Sequence, residues 1–292
     1  MRLLSPRELA HALGVSESSL KRWVDAGKIT ASRTDGGHRR IALPEAVRFI
    51  RETGTPLAHP EVLDLPEIAA VQRGALAGTD SLLSYLERGD AVGTRGWLVG
   101  RYLAGASVAE LADGPIRGAL HALGELWRHD PRGVFIEHRA TESLLDALGH
   151  LRGALADRAV TPVAIGGAPE DDPYRVPTLL AAMVAAEAGL REINLGPDTP
   201  LSAFEHAIAE HAPGLLWLSA TGKLPTARAT ELARWIASLP RELTVVVGGR
   251  NGPLIAAAHS AVRYVETMTE LLQIARRLAW RAPAHATLPE RR

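Results

Sequence analysis

The chain has 292 residues, of which 46% are hydrophobic and 23% charged, a balance that is typical of globular domains and excludes wholesale disorder. It contains no cysteine, which excludes disulfides, thiol catalysis and cysteine-ligated zinc or iron–sulfur sites and is typical of the reducing cytoplasm. The 33 basic and 33 acidic residues cancel, and neither a membrane-spanning run nor a signal peptide is predicted.

The charge is distributed unevenly along the chain. Residues 1–54 contain ten Lys and Arg against six Asp and Glu, a net charge of +4, which leaves −4 on the remaining residues. A basic segment joined to an acidic body is typical of a nucleic-acid-binding module attached to another domain.

Two short helices separated by a glycine are predicted at the start of this segment. Ser5 and Glu8 have the spacing of a capping box, Pro6 suits the first helical position, and Gly14 ends the helix. Ser16 is a good cap for a second helix. The pattern predicts a helix-turn-helix whose second helix presents polar side chains to the DNA major groove.

A basic β-hairpin is predicted after the second helix. Residues 28–33 and 38–41 form its strands, the Asp35-Gly36-Gly37 triplet forms the turn, and a further helix begins at Pro44. Such a wing places cationic groups against DNA phosphates. The candidate DNA-binding residues of helix and wing are Ser18, Lys21, Arg22, Arg33, His38, Arg39 and Arg40.

This arrangement resembles a known DNA-binding domain. A helix-turn-helix, the segment AGKITASRTDGGHRRI and a helix started by proline are similar to the winged domain of the MerR family, over nearly all of residues 1–54. The resemblance implies that double-stranded promoter DNA is a partner.

The middle of the chain is predicted to be helical. Residues 55–66 carry three prolines and indicate a linker, whereas residues 67–157 are rich in Ala, Leu and Gly and contain no strand signal. The simplest arrangement is a compact bundle resembling a four-helix bundle, which would cap the next domain. The predicted helices lie near 67–77, 79–87, 89–104, 107–112, 115–128 and 134–156.

Residues 160–282 alternate strands with helices five times, before a tail at 283–292 that is predicted to be flexible. This alternation predicts an α/β domain with a doubly wound, five-stranded parallel sheet, which binds ligands at the carboxyl ends of its strands. The predicted strands are Pro162–Gly166, Arg191–Leu195, Leu215–Ser219, Leu243–Val247 and Val262–Val265. The predicted helices lie near 177–188, 200–211, 226–238, 252–259 and 267–280.

The loops of this domain lack the common nucleotide and catalytic motifs. No GxGxxG follows the first strand, and neither a P-loop nor a GxSxG elbow is present. Gly222 and the Gly248–Gly249 pair indicate places where a ligand or the backbone approaches closely. With no catalytic constellation and no metal site in the sequence, we do not expect an enzyme.

One segment of the helical region combines an aromatic residue with a charged pair. Trp127 ends a predicted helix, and Glu137 and His138 lie in the first turn of the next one. Taken alone, this segment indicates a core tryptophan and a surface pair. The spacing and the order of the three domains, however, resemble the CarH/LitR family of light-dependent, cobalamin-binding transcriptional repressors over almost the whole chain.

The resemblance implies a ligand and its contacts. In that family, residues matching Trp127, Glu137 and His138 cover the upper face of adenosylcobalamin, beside the photolabile cobalt–carbon bond. The segments 193–200, 218–225 and 245–253 resemble the family's loops around the nucleotide tail. The candidate ligand-binding residues implied here are Trp127, Glu137, His138, Tyr174, Ser219, Thr221, Gly248 and Gly249.

The sequence departs from the family at the lower cobalt ligand. The family has an Asp/Glu-x-His-x-x-Gly type motif after the first strand of this domain, and here Tyr174 stands in place of the histidine. A neutral phenol is a poor cobalt ligand. A second departure is Arg128, where a light sensor of the family has a histidine that ligates cobalt after photolysis. Three readings stay open: cobalamin held base-on or without a lower protein ligand, another tetrapyrrole, or no ligand at all.

Together these features predict a cytoplasmic regulator that is not attached to a membrane. Its cobalamin-type sensor would control self-association, as a dimer or tetramer, and through it the repression of a promoter. The resemblance to the family implies a response to light. A regulator that binds no cobalamin is the main alternative, and a cobalamin-dependent enzyme is a weaker one.

Overall fold

The computed structural model describes residues 3–34, 36–63, 81–126, 132–155 and 162–281. They divide into two units, one drawn from Met1–Ser107 and Gly114–Ala156 and the other from Val108–Asp113 and Asp157–Arg292. The predicted helix near 67–77 and the predicted tail at 283–292 lie outside the described residues. No helix in the described part of the chain is long and apolar enough to cross a membrane.

The first unit begins with the predicted winged helix-turn-helix. Its helices are α1 (Pro6–Ala12), α2 (Glu17–Asp25) and α3 (Leu43–Thr53), and its strands are β1 (Leu3–Leu4), β2 (Ser32–Arg33) and β3 (Arg39–Ala42). The capping box is present: the Ser5 hydroxyl accepts from the Glu8 amide at 3.2 Å, and the Glu8 carboxylate accepts from the Ser5 amide at 2.6 Å. The Ser16 hydroxyl caps α2 by accepting from the Ser19 amide.

The wing differs from its prediction at both edges. The strand expected over 28–33 is limited to β2. The Thr30 amide donates to the Glu45 carboxylate at 2.7 Å, so it does not donate to a neighbouring strand. An additional strand, β1, pairs antiparallel with β3 on the other side, which gives the sheet order β1-β3-β2. The wing is therefore the edge of a three-stranded sheet that is tied to the first helix.

Glu45 joins the wing to α3. Its carboxylate accepts from the Thr30 amide and from Arg48 Nε at 2.9 Å, and Arg48 also donates to the Lys28 carbonyl at 2.8 Å. Burial alone would raise the pKa of Glu45, but the bonds from Arg48 and Thr30 outweigh it and lower the pKa below its ordinary 4.5.

We expect Glu45 to make the stability of this domain sensitive to acid. A carboxylate whose pKa is lower in the folded state stabilises the fold above its ordinary pKa, and this contribution is lost as the pH falls through the folded value. Urea denaturation of the full chain from about pH 3 to about pH 7 measures this contribution to the free energy of unfolding, because the interval includes the ordinary pKa of a carboxylate. Glu45→Gln should flatten the acidic limb of the stability curve, and an unchanged limb would contradict the assignment.

The predicted helical region of the first unit is observed. It contains α4 (Leu82–Arg88), α5 (Ala91–Leu103), α7 (Arg117–Leu126) and α8 (Gly133–Ala154), with buried residues such as Leu86, Leu98 and Leu144 on their facing sides. Arg51 of α3 donates to the carbonyls of Tyr102 and Ala106 and lies 3.6 Å from the Tyr102 ring centroid. Arg51 therefore joins the helix-turn-helix to the helical region through two hydrogen bonds and a cation–π contact.

A short helical segment that precedes α7 belongs to the second unit. Helix α6 (Val108–Leu111) continues into a π-helical turn at Ala112–Ile116, and the Val108 amide donates to Glu187 at 2.9 Å. Sequence periodicity places this helix in the bundle, whereas residues 108–113 group with the α/β domain in the structure. The reason is a set of specific bonds that sequence periodicity does not encode.

The α/β domain has the predicted alternation of strands and helices. The strands are β4 (Val163–Pro169), β5 (Arg191–Thr199), β6 (Leu215–Ser219), β7 (Thr244–Gly248) and β8 (Arg263–Tyr264). The helices are α9 (Arg175–Glu187), α10 (Leu201–His211), α11 (Thr226–Ser238), α12 (Gly252–Ala258) and α13 (Met268–Arg281). All neighbouring strands are parallel, in the order β5-β4-β6-β7-β8, which is the doubly wound arrangement that was predicted.

Two strands, β4 and β5, extend three or four residues beyond their predicted ends. β4 continues past Gly166 to Pro169 and β5 continues past Leu195 to Thr199, so parts of both predicted loops are strand. The pairing is irregular there, with Gly167 opposite Gly196 and register shifts on both sides of Gly167. Irregular pairing of glycine-containing segments is difficult to foresee from residue type.

Asp113 caps α13 from a distant part of the chain. Its carboxylate accepts from the Met268 and Thr269 amides at 2.8 and 2.9 Å and from the Thr269 hydroxyl at 2.7 Å. We expect Asp113→Ala to destabilise the protein by about 1–2 kcal/mol, because first-turn amides of a helix lose their acceptor. Denaturation in urea measures the loss, Asp113→Asn should lose less, and two unchanged midpoints would contradict this role.

Candidate functional site

The second helix of the helix-turn-helix exposes the predicted polar face. Ser18, Lys21 and Arg22 are all exposed on α2. Lys21 Nζ lies 3.0 Å from the Glu17 carboxylate, and Arg22 Nη2 donates to the Ser19 hydroxyl at 3.2 Å. These contacts stay on the helix surface and leave the cationic groups accessible to a polyanion.

The wing carries the other four predicted DNA-binding side chains. Arg33 and His38 are exposed, whereas Arg39 and Arg40 are half-buried. Arg33 pairs with Arg39 across the hairpin, and Arg39 Nη2 lies 2.7 Å from the Asp25 carboxylate at the end of α2. Arg39 therefore forms an ion pair between the wing and α2, whereas Arg33 and His38 are exposed on the wing.

The charged pair at the start of α8 is on the surface of the first unit. His138 is 75% exposed and its Nε2 lies 3.5 Å from the Glu137 carboxylate, which also accepts from the Thr141 hydroxyl at 3.2 Å. The neighbouring Phe135 is 62% exposed. Trp127 lies outside the described residues, as do Arg128 and His129, so the predicted trio is described only at Glu137 and His138.

The four candidate residues at and just after the ends of β6 and β7 lie at the carboxyl edge of the sheet. Ser219 is buried and pairs with Gly248, and the Ala220 amide donates to the Gly248 carbonyl at 2.9 Å. Thr221 is half-buried, and Gly249 has a positive φ of 89° in the turn that follows β7. The structure therefore brings these residues together, on one edge of the second unit.

Tyr174 lies at the same edge, in the loop after β4. It precedes α9 and is 48% exposed, and its amide donates to Asp172 Oδ1 at 3.1 Å. No histidine occurs between Gly166 and Pro177. His206, the next one along the chain, is on α10, with its ring nitrogen 2.6 Å from the Ser202 carbonyl.

Asp172 is the residue of this edge to which the sequence analysis gave no role. It is 4% exposed, and Oδ2 accepts from the Thr221 and Gly222 amides at 2.5 and 2.8 Å. The local signal was only an Asp–Pro pair, which is typical of turns. Its partners are about fifty residues away in the sequence, so no local pattern could have identified them.

Comparison with protein families identifies the first domain. Residues 5–41 match the model of the MerR family regulatory protein. This domain is a MerR-family helix-turn-helix. The match includes α1, α2 and most of the wing. It therefore includes all seven candidate DNA-binding residues.

A solved structure shares the fold of about two thirds of the chain. The monomethylamine corrinoid protein of Methanosarcina barkeri is 16% identical with a TM-score of 0.52, over 67% of this chain and 95% of that one. A cobalamin-binding protein of Desulfitobacterium hafniense DCB-2 is 20% identical with a TM-score of 0.36, over 68% and 96%. No curated protein sequence matches the chain. A MerR domain is therefore followed by the fold of a corrinoid protein.

The residues at the carboxyl edge do not fit a corrinoid whose cobalt is ligated by a protein imidazole. The loop after β4 offers the phenol of Tyr174 in place of an imidazole. The neighbouring Asp172 carboxylate already accepts hydrogen bonds from three backbone amides. The space over Gly166 is also occupied, because a Cβ there would lie 2.1 Å from Trp217 Cδ2. A corrinoid that keeps its own base on cobalt requires no such ligand and is not excluded by these contacts.

Proposed function

We propose that this protein is a transcriptional regulator that binds promoter DNA through its MerR domain. The observation that carries the proposal is the set of exposed cations on α2 and the wing, on a domain that matches the MerR family model. Cationic side chains on one face provide the electrostatic attraction to DNA, and a helix in the major groove provides the sequence specificity.

The two elements have different roles in this proposal. Ser18, Lys21 and Arg22 lie in the first two turns of α2, the part of a recognition helix that contacts base edges. Arg33 and His38 on the wing contact phosphates, which sets the register of the protein on the duplex. Arg39 links the two elements through its ion pair with Asp25.

A gel-shift titration tests DNA binding. The purified full chain is titrated onto the duplex that precedes its own gene, with a scrambled duplex of the same length as control. We expect tighter binding to the promoter duplex and a logarithmic affinity that falls steeply with the logarithm of the salt concentration. Affinity that does not change with a tenfold increase in salt would contradict the proposal.

The second unit is proposed to be the regulatory body. Its fold is that of a corrinoid protein, which supports a flat, tetrapyrrole-type ligand such as adenosylcobalamin, held without a protein histidine. A ligand that binds one oligomeric state more tightly shifts the population of the DNA-binding form. We propose that a dimer or tetramer represses the promoter, and that the ligand controls whether this oligomer forms or dissociates.

An absorption spectrum tests the ligand. The protein is incubated with adenosylcobalamin in the dark, desalted and measured beside Tyr174→His, and both samples are then illuminated and measured again. A coloured wild-type protein with a base-on spectrum supports the proposal, and a spectral change under light supports light dependence. A colourless wild-type protein beside a coloured variant contradicts it and favours a regulator that binds no cobalamin.

A further inference from the structure

The order of the strands places a crevice between two loops of the α/β domain. β4 and β6 are neighbours, and the chain continues from β4 to β5 on one side and from β6 to β7 on the other. Ligands of open parallel sheets bind at such a switch point, outside the carboxyl ends of the two strands. The loops that border this crevice are residues 170–174 after β4 and 220–225 after β6.

A side chain of the protein itself occupies this crevice. The Thr221 and Gly222 amides are consecutive donors, and both point at Asp172 Oδ2, at 2.5 and 2.8 Å. Successive backbone amides that converge on one point form an anion-binding concavity. The anion here is a carboxylate that is 4% exposed and that spans the crevice from the opposite loop.

The glycines around the crevice face the protein rather than open space. A Cβ on Gly222 would lie 3.2 Å from Asp172 Cγ, and one on Gly249 would lie 2.5 Å from the Ala220 carbonyl oxygen. Asn251 donates its side-chain amide to the Gly222 carbonyl and its backbone amide to the Ala220 carbonyl. These glycines therefore permit the loops to pack on one another, and the close approach here is that of the backbone.

We propose that Asp172 acts as an internal anion that occupies a phosphate-type subsite and closes the switch-point crevice of this domain. The two amides would otherwise bind a phosphate or a similar oxyanion, since each has a free donor once the carboxylate is removed. This inference deepens the proposed function, because it excludes ligands that place a phosphate group in this crevice. A corrinoid would then hold its phosphodiester elsewhere.

Thermal unfolding in inorganic phosphate tests the subsite, with sodium chloride at equal ionic strength as control. Asp172→Ala empties the site and should gain about 2–4 °C in Tm from phosphate, whereas the wild type should gain less than about 1 °C. Asp172→Ser also removes the carboxylate that accepts from the two amides, so it provides a second variant if the alanine variant does not fold. Asp198→Ala removes an acid from the same edge and frees the single Asp171 amide but not the two crevice amides, and it should behave as the wild type.

The outcomes separate this inference from the proposed function. Stabilisation of either Asp172 variant, with no response of the wild type or of Asp198→Ala, supports it. An equal response of all proteins, or no response of both Asp172 variants, overturns it. DNA affinity is measured on the same samples. A wild-type protein that does not bind DNA would contradict the proposed regulatory function and would leave the inference about the anion subsite unaffected.

Discussion

Arg22→Ala and Arg33→Ala are expected to weaken promoter binding in two distinguishable ways. Arg22 lies on the exposed face of α2, so its loss should cost about 1–3 kcal/mol on the promoter duplex and much less on scrambled DNA. Arg33 lies on the wing, so its loss should weaken binding to both duplexes equally and reduce the salt slope by about 1.

The difference follows from what each element contacts. Phosphates are identical in every sequence, so losing a phosphate contact removes affinity without changing discrimination. Base edges differ, and an arginine that donates to a guanine leaves unpaired groups when the base is wrong or the side chain is absent. Neither arginine is buried in the protein, so we expect little change in folding stability from either substitution.

Arg234→Ala is the matched control. It removes the same charge from an exposed position on α11 of the second unit, and it should leave both the affinity and the salt slope unchanged. Gel shifts at three or more salt concentrations, with circular dichroism to confirm folding, measure all three variants. Equal losses for Arg22→Ala, Arg33→Ala and the control would indicate an effect of net charge alone and contradict the assigned surface.

Local chemistry made the MerR domain predictable. The Ser5–Glu8 capping box and the cap at Ser16 each depend on residues within three positions, and the structure shows both. The five strands of the α/β domain were predicted for a similar reason, since short apolar runs separated by helical periods define them. Trp217, in the middle of the predicted strand Leu215–Ser219, is 2% exposed.

Long-range pairing was what the sequence could not provide. Asp113 caps a helix that begins about 155 residues later, and Asp172 binds amides about 50 residues away. β1 pairs with β3 from the opposite end of the domain. At the candidate ligand site, the absence of a histidine was visible in the sequence, but the closure of the crevice by Asp172 depends on tertiary contacts.

Trp217→Ala is expected to give the largest loss of stability. The indole is buried on β6 against Gly166, and its Nε1 donates to Thr178 Oγ1 at 3.1 Å. Thr178 in turn donates to Asn194 Oδ1 at 2.9 Å, which also accepts from the Gly196 amide. Truncation of a buried tryptophan costs about 3–5 kcal/mol, and this chain of bonds between β6, α9 and β5 is broken as well.

Two control variants separate volume from hydrogen bonding. Trp217→Phe keeps a large aromatic ring at this position and loses the hydrogen bond to Thr178. Its free energy of unfolding should therefore be about 0.5–1.5 kcal/mol lower than that of the wild type. Trp280→Ala removes the same side chain from a position that is 90% exposed and should change stability by less than about 0.5 kcal/mol. Urea denaturation followed by far-UV circular dichroism measures all three variants. A Trp217→Ala protein as stable as Trp280→Ala would contradict the role of the buried indole in holding β6, α9 and β5 together.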